Sequence, residues 1–345
     1  MHFPMRQVAV WMGLVLVAFG AIGYLSFQAW ADREVGHSAQ IIEIEPGASL
    51  SSITSTLVTR GVVRDPRLFK LLASWESVDT RLKAGEYELS NPTSPRQVLT
   101  KLSSGQVMLH PVRLREGITV LMMLQELKEV PHIQHTLSDF TSYAQVHAEL
   151  AGKLALPIKS AEGYFFPDTY FVRRGLTDVE LLRRAHQVMQ DKLAQVWAMR
   201  PAANSSAASS LGINSIEELL VLASIIEKET GVDEDRGQIS QVFHKRLRRN
   251  MRLQTDPTVI YAIGETFDGD IRRKDLRIDS PYNTYRYVGL PPTPIALPSY
   301  QSLVAAVQPA PGEFLYFVAR GDGSSQFSET LAQHNAAVRR YQLGQ

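Results

Sequence analysis

The chain has 345 residues with 36 basic and 35 acidic side chains, so its formal net charge of +1 provides no field that would recruit nucleic acid. It contains no cysteine, which excludes disulfides, thiolate metal sites and cysteine nucleophiles. The nine histidines include no HExxH pair, and we expect His186 and His244 at the surface or in helix packing. No P-loop, GxSxG elbow or GxGxxG loop is present.

The N-terminal part of the chain carries an apolar run at 8–27 with no charged residue. A run of about twenty residues is long enough to cross a bilayer as a helix. Arg6 precedes it and the charges of residues 32–34 nearly cancel, so the positive-inside rule places residues 1–7 in the cytoplasm. A cleavable signal peptide is the alternative, because residues 29–31 loosely match a cleavage site, but the apolar run is long for one. We predict an uncleaved transmembrane anchor at 8–27.

Residues 40–106 show the pattern of a small mixed module, which follows a short polar tether at 34–39. Two predicted strands enclose two helices and a third helix follows: strands at 40–44 and 81–89, and helices at 49–59, from Pro66, and from Pro95 to about Gly105. The strand–helix–helix–strand order resembles a LysM-like module, a fold often found on glycan polymers. No binding motif accompanies it, and a structural stalk is the alternative.

Residues 110–345 form a second region in which helices dominate. The predicted elements are a strand at 110–115, a helix from Thr119, helices at 137–156 and 178–199, a polar loop at 201–210, a basic amphipathic helix at 238–249, a helix from Pro257, strands at 314–319 and around 326–327, and a helix at 331–341. The basic run at 245–252 is most simply a solvated face. Helices and short strands together predict an α+β fold.

Two segments concentrate aromatic side chains. EGYFFPDTY at 162–170 is either a pair of core strands with a turn or an aromatic wall for sugar rings. The proline-rich stretch at 280–299 contains Tyr282 and Asn283 and is too rich in proline for a helix or a strand. We interpret it as a rigid, amide-bearing surface suited to a carbohydrate cleft, with a strap over the core as the alternative.

The segment at 214–231 is the most informative part of the chain. Asn214 or Ser215 can cap a helix, and every residue from 219 to 226 except Ser224 is apolar, so the helix is expected to be covered on most sides. Glu227 and Glu229 then follow, and Gly231 is placed to end the helix.

A carboxylate at such a helix end experiences two effects that both raise its pKa. Apolar neighbours remove water from the anion, and the negative end of the helix dipole repels it. A raised pKa suits a general acid that works near neutral pH. The alternative is that Glu227 and Glu229 are solvated residues of a frayed helix end.

Five long motifs carry a resemblance to a known family. They are ASIIEKET at 223–230, RLQTDPTVIYAIG at 252–264, YNTY at 282–285, GLPPTPIALP at 289–298 and LYFVARGDG at 315–323. In this order they resemble the MltG (YceG-like) family of endolytic murein transglycosylases. EGYFFPDTY and the single N-terminal anchor match as well, so the resemblance covers nearly the whole chain.

The resemblance implies a LysM-like module at 40–106, followed at 110–345 by a YceG-type catalytic domain with a lysozyme-like catalytic helix. It implies that one glutamate cleaves peptidoglycan strands without metal or cofactor, through attack of the C6 hydroxyl of the sugar. In other lytic transglycosylases the catalytic Glu precedes Ser or Thr near a helix end. We therefore predict Glu229 as the catalytic residue, with Glu227 as the fallback.

Substrate contacts are expected from a few polar residues of the other motifs. Gln254, Tyr282 and Asn283 are candidates for holding amide and hydroxyl groups of the sugar; Asp256 either contributes to binding or caps a helix. The implied location is the inner membrane, with the catalytic domain in the periplasm and peptidoglycan synthases as candidate partners. Two alternatives stay open: a non-catalytic glycan-binding envelope scaffold, and a hydrolytic muramidase that uses a second carboxylate.

Overall fold

The structure is a computed structural model that describes residues 5–37, 40–201 and 211–344. Parts of the predicted tether at 34–39 and nearly all of the predicted loop at 201–210 therefore lie outside the described residues. The α-helices are α1 (Met5–Ala31), α2 (Leu50–Thr59), α3 (Pro66–Trp75), α4 (Pro95–Ser104), α5 (Val120–Lys128), α6 (Tyr143–Gln145), α7 (Ala151–Lys153), α8 (Asp178–Ala198), α9 (Ile216–Glu229), α10 (Asp233–Arg248), α11 (Asp256–Ile263), α12 (Tyr300–Val307) and α13 (Leu331–Gln342).

Short strands complete a mixed α+β fold. They are β1 (Gln40–Ile44), β2 (Gly85–Leu89), β3 (His110–Arg113), β4 (Ile133–Gln134), β5 (Thr169–Val172), β6 (Leu176–Thr177), β7 (Tyr316–Ala319) and β8 (Ser325–Ser328). In the described part of the chain they pair two by two: β1 with β2 and β7 with β8 antiparallel, β4 with β6 parallel, and β3 with β5. A π-helical turn, Val146–Leu150, joins α6 to α7.

The chain divides into two compact units, residues 1–110 and 111–345. In the first unit, the pair β1–β2 and helices α2 to α4 enclose a core that includes Ile42, Phe69 and Tyr87. The predicted helix starts at Pro66 and Pro95 are confirmed; Asp65 accepts hydrogen bonds from the first turn of α3, and Ser94 forms a capping box at α4. The returning strand begins later than predicted, at Gly85.

Helix α1 is exposed along most of its length. Among the described residues, one helix, Gln7–Ala31, is long and apolar enough to cross a membrane, with a mean hydropathy of 2.2. Its large side chains from Val8 to Leu25 are exposed, whereas Ala31 is fully buried in the core of the first unit and Phe27 packs against that core. The last two turns of α1 are therefore part of the folded module.

Helix α9 lies at the centre of the second unit. Ser215 caps its N-terminus, and all residues from 219 to 226 are buried because α8, α10, α11 and α12 pack around it. The prediction of a helix covered on most sides is confirmed. The one polar member, Ser224, donates to the Val221 carbonyl oxygen at 2.7 Å and accepts from the Ile295 backbone N–H at 3.0 Å.

Three boundaries in the second unit differ from the prediction. Helix α10 begins at Asp233 instead of residue 238, because the acidic residues at 233–235 suit the positive N-terminal end of a helix. Thr230 ends α9 by adopting an extended backbone conformation, so Gly231 is not needed as a left-handed terminator. The helix predicted at 137–156 is limited to the turns between Tyr143 and Lys153.

The EGYFFPDTY segment packs in the interior. Phe165, Phe166 and Tyr170 are all buried, so the interpretation as an aromatic wall for sugar rings is wrong. Glu162 is fully buried; it accepts a hydrogen bond from the Val120 backbone N–H at 3.0 Å and one from the Tyr261 hydroxyl at 3.1 Å. This carboxyl group therefore connects the first turn of α5 to α11.

Glu162 should make the stability of the fold depend on pH. Burial raises its pKa to about 7, and the hydrogen bonds from Val120 and Tyr261 oppose that rise. The folded state then binds a proton that the unfolded state releases above about pH 4.3, so the free energy of unfolding falls by roughly 3 kcal/mol as the pH rises towards 7. We expect Glu162→Gln to reduce the loss of stability with rising pH by this amount, measured by thermal unfolding of the detergent-solubilised protein at pH 5 and pH 8. An equal decrease in both proteins would contradict the assignment.

Candidate active site

Glu229 is the last residue of α9. Its carboxylate is half-buried and accepts a hydrogen bond from the Thr255 hydroxyl. The backbone N–H of Thr255 donates in turn to the Thr284 hydroxyl at 3.1 Å, and the Thr258 and Thr284 hydroxyls lie 2.8 Å apart. The hydroxyls of three buried threonines thus join the QTDP segment at 254–257 to the YNTY motif. They place the Thr255 hydroxyl as a donor against the Glu229 carboxylate.

Gln254 has an unusual backbone conformation at the edge of this hydroxyl group. Its φ is 51°, in the left-handed region that residues other than glycine rarely adopt, and its N–H donates to the Thr284 carbonyl oxygen at 3.2 Å. Such conformations persist where the surrounding structure enforces them, often at functional sites. The side chain of Gln254 is exposed and lines the same cavity as Glu229.

This cavity has a volume of about 540 Å³. Its polar lining includes Glu229, Arg246, Gln254, Asp256 and Tyr285. Strand β7 and helix α13 contribute further residues, among them Tyr316, Phe317 and His334. The structure therefore brings the predicted residues Glu229, Gln254 and Asp256 together in one cavity.

The electrostatics of Glu229 favour a protonated carboxyl group. Burial raises its pKa to about 7, and the negative charge of Asp256 acts in the same direction. The Thr255 hydrogen bond and the positive charge of Arg246 act against this rise. Near neutral pH the group is therefore present in both protonation states, as a residue that first donates and later accepts a proton requires.

Arg246 supplies a fixed positive charge beside Glu229. Its guanidinium is buried and donates to the carbonyl oxygens of Leu315, at 2.8 Å, and Leu253, at 2.5 Å. The prediction that the basic run at 245–252 is a solvated face is wrong for Arg246 and also for Lys245, which is buried. Both cations are covered by the segment around β7, whose carbonyl oxygens replace water as their partners.

Glu227 has a different environment, two residues earlier in the same helix. Its carboxylate accepts hydrogen bonds from the Ser299 backbone N–H at 3.0 Å, from the Ser299 hydroxyl and from the Ser302 hydroxyl at 2.7 Å. These donors form the N-terminus of α12, where an anion is also favoured by the helix dipole. Glu227 therefore anchors α12, and it does not line the cavity of Glu229.

The structure does not bring Tyr282 and Asn283 into this cavity. The Tyr282 hydroxyl bonds to Thr293 at 2.8 Å, and its ring packs on Tyr261 with the centroids 5.0 Å apart. Asn283 is fully buried; its amide donates to the carbonyl oxygens of Leu276 and Ile278 and accepts from the Tyr285 N–H at 3.0 Å. Both residues hold the proline-rich loop in its shape.

Tyr285, like Arg246, lines the cavity but was not among the residues predicted for the site. Its hydroxyl donates to the Asp256 carboxylate at 2.6 Å, and burial followed by the Asp256 interaction raises its pKa above the ordinary value for tyrosine. The YNTY motif contains the signal, since it offers two tyrosines, but the sequence does not indicate which of them points inward. Among the described residues no group of three metal-ligating side chains is assembled, and we assign no metal ligand.

Comparison with known proteins identifies the family of the chain. Residues 42–340 match the YceG-like family, and the chain belongs to that family. It is 32% identical over 321 residues to an endolytic murein transglycosylase of Bacillus subtilis, with 87% of this chain and 84% of that protein covered. It is 29% identical over 356 residues to an endolytic murein transglycosylase of Streptococcus pneumoniae, with 94% of this chain and 63% of that protein covered.

A solved structure gives the same family. The crystal structure of a yceG-like protein from Listeria monocytogenes is 30% identical and superposes with a TM-score of 0.52, over 88% of this chain and 99% of that chain. The resemblance found in the sequence is thereby confirmed at the level of the family.

Two neighbours of Glu229 should shift its pKa in opposite directions. Thr255→Val removes a hydrogen bond that stabilises the carboxylate, so we expect the pKa of Glu229 to rise above 7. Asp256→Asn removes a like charge, so we expect it to fall. The carboxyl carbon resonance of Glu229 in labelled protein, followed by NMR across pH 4–9, measures both shifts independently of activity. Shifts of the same sign in the two variants would contradict the assigned geometry.

Proposed function

We propose that this protein is a lytic murein transglycosylase, a lyase that cleaves the bond between N-acetylmuramic acid and N-acetylglucosamine within peptidoglycan strands. The observation that carries the proposal is Glu229, a single carboxyl group of raised pKa at the end of a buried helix, facing a cavity. The names of the relatives from Bacillus subtilis and Streptococcus pneumoniae support it. The finer details of cleavage are part of the proposal.

Glu229 performs both proton transfers in the proposed mechanism. Its protonated carboxyl group donates to the glycosidic oxygen, and the bond from C1 of the muramic acid to that oxygen breaks. The C6 hydroxyl oxygen of the same sugar forms a bond to C1, and its proton passes to the Glu229 carboxylate. The products are a 1,6-anhydro end and a free hydroxyl on the leaving sugar, and the carboxyl group is restored without a water molecule.

Other cavity residues have supporting parts. The buried charge of Arg246 stabilises Glu229 in its carboxylate form after the first transfer. The strained backbone of Gln254 directs its amide towards the substrate, where it can hold the N-acetyl or hydroxyl groups. Tyr282 and Asn283, which we predicted as substrate contacts, act in this proposal through the shape of the loop that presents Tyr285.

A hydrolytic muramidase is the second candidate, and Asp256 is the observation that favours it. Asp256 is the other carboxylate that lines the cavity within the described residues. Hydrolysis needs a second carboxylate to activate water or to attack the sugar. The Asp256 carboxylate accepts a hydrogen bond from Tyr285 and lies at the start of α11, which suits a structural or binding role better than that of a base.

The apolar helix α1 supports a location of this activity at the cell envelope. We propose that α1 spans the inner membrane, with residues 1–7 in the cytoplasm and the domain at 110–345 in the periplasm. We also propose that residues 40–106 form a LysM-like module and that α9 corresponds to a lysozyme-like catalytic helix. Peptidoglycan strands are then the substrate, and peptidoglycan synthases remain candidate partners. A non-catalytic scaffold is the alternative that loss of Glu229 tests.

Glu229→Gln should abolish cleavage. It keeps the size of the side chain but has no proton to donate, and since one residue serves both transfers we expect a loss of at least ~10⁴-fold in kcat/KM. Cleavage is measured on purified peptidoglycan with the full-length protein in detergent. The matched control is Glu217→Gln, at the exposed opposite end of α9, which should be fully active.

Glu227→Gln separates the two glutamates of the motif. It weakens the hydrogen bonds that hold the N-terminus of α12, so we expect a loss of thermal stability and a smaller loss of activity than in Glu229→Gln. If Glu227→Gln is inactive while folded and Glu229→Gln is active, the catalytic roles are reversed. If both are active, the site assignment is wrong.

The products distinguish the lyase from the hydrolase. We expect mass spectrometry of digested strands to show fragments cut within the chain that end in anhydro-muramic acid, one water lighter than the hydrolytic product. Borohydride reduction, which labels reducing ends, should leave them unchanged. Reducing ends throughout would establish hydrolysis and direct the search for a second carboxylate to Asp256.

A further inference from the structure

The end of α1 and helix α3 share a group of aromatic side chains that the cleavage mechanism does not use. The ring of Trp75, the last residue of α3, lies 6.0 Å from the ring of Tyr24 and 6.4 Å from that of Phe27, measured between centroids. Phe27 also stacks with Trp30 at 5.9 Å. We call Tyr24, Phe27, Trp30 and Trp75 the aromatic cluster. It is open to the outside, with 60% of Trp75 and 50% of Tyr24 exposed.

A polar cluster lies next to it, further along α1. Arg96 of α4 donates to Asp32 at 2.7 Å and also contacts Gln28 and Glu76. Gln28 follows Tyr24 by four residues, which is about 6 Å along a helix. The first unit thus presents two successive levels along α1, an aromatic level at Tyr24 to Phe27 and a charged level from Gln28 to Asp32.

The aromatic level followed by the charged level has the order in which these groups occur across a membrane–water interface. Tyr24 and Phe27 belong to the apolar run at 8–27, so a helix that spans the bilayer carries them at its outer boundary. Tyr and Trp are enriched at this depth, whereas charged groups lie among the headgroups. Trp75 is in contact with Tyr24 and must therefore be at the same depth, although it belongs to the folded module instead of the anchor.

Helix α3 continues this surface. Arg67, Leu71 and Trp75 follow each other at intervals of four residues, and all three are exposed, so they form a stripe on one face. Leu71 has 52% of its surface exposed. An apolar stripe with a basic residue at one end suits the boundary between acyl chains and anionic headgroups, to which Arg side chains extend their charge.

We propose that the stripe of Arg67, Leu71 and Trp75 docks on the outer leaflet of the membrane that α1 spans. The occupant is the lipid interface, because the stripe is continuous with the apolar surface of α1 through the contact between Trp75 and Tyr24. The module then lies against the bilayer instead of swinging from a flexible anchor. This inference rests on the membrane anchoring given under the proposed function, and it is independent of the catalytic role of Glu229.

The absence of cysteine from the chain makes a labelling experiment direct. Single substitutions Leu71→Cys, Val15→Cys and Ser55→Cys receive a nitroxide label in the full-length protein, which is reconstituted in vesicles of phosphatidylethanolamine and phosphatidylglycerol. Val15 is in the middle of α1, and Ser55 is an exposed residue of α2. Collision of the label with oxygen, which partitions into lipid, and with an aqueous nickel chelate gives the depth of each site by electron paramagnetic resonance.

We expect the Leu71 label to be several-fold less accessible to the nickel chelate than the Ser55 label, and shallower than the Val15 label. Adding Trp75→Ser, which removes an exposed ring, should return the Leu71 label towards water. A Leu71 label as accessible to the chelate as the Ser55 label, with the Val15 label deep in the bilayer, would overturn the docking.

The same labels separate this inference from the proposed function. A Val15 label that is accessible to the chelate would overturn the membrane anchor and the docking together. Introducing Glu229→Gln into the Leu71→Cys protein should leave the depth unchanged and remove only cleavage. An altered depth in that protein would contradict the independence of the two sites and count against the docking.

Discussion

The burial of α9 on every side is the constraint on which the site depends. A helix whose middle, residues 219–226, is enclosed by four other helices cannot place a charged side chain there, so its carboxylates lie in its first and last turns. Glu227 and Glu229 are two residues apart and project from different sides of that end. Glu227 accepts hydrogen bonds from the donors at the start of α12 and holds that helix in place. Glu229 accepts a hydrogen bond from the Thr255 hydroxyl and lines an open cavity.

The second determinant is the set of hydroxyl groups that joins two distant motifs. Thr255, Thr258 and Thr284 satisfy one another and the backbone around them. Because they are buried and fully bonded, the QTDP and YNTY loops keep a single relative position. Helix α11 starts at this point and carries Tyr261, which bonds to Glu162. Both glutamates of raised pKa are thus connected to one short helix, through its N-cap Thr255 and through Tyr261.

Local signals in the sequence predicted several of the helices and the position of Glu229. The cap at Ser215, the apolar run that follows it and the position of Glu229 at the helix end depend on neighbours within a few residues, and the structure has them as expected. The caps of α3 and α4 are equally local. Features of this kind follow from periodicity and capping, which a sequence displays directly.

The features that could not be predicted depend on partners far along the chain. A basic run in a helix has the same appearance whether it is solvated or covered, and Arg246 is buried by a segment almost seventy residues later. The role of Glu227 depends on Ser299 and Ser302, more than seventy residues away. Likewise, the YNTY motif contains two tyrosines and an amide. Only packing determines that Tyr285 faces the cavity while Asn283 is buried in the protein interior.

The inward amide of Asn283 has a consequence for how glycan is bound. Its three hydrogen bonds to the backbone, together with the prolines that follow, order the loop before any substrate arrives. A flexible loop would lose conformational entropy on binding, and that loss would weaken the complex. Here the entropy has already been lost during folding. In the proposed cleavage of a glycan strand, more of the contact energy with the strand is then available to distort the sugar ring towards its transition state.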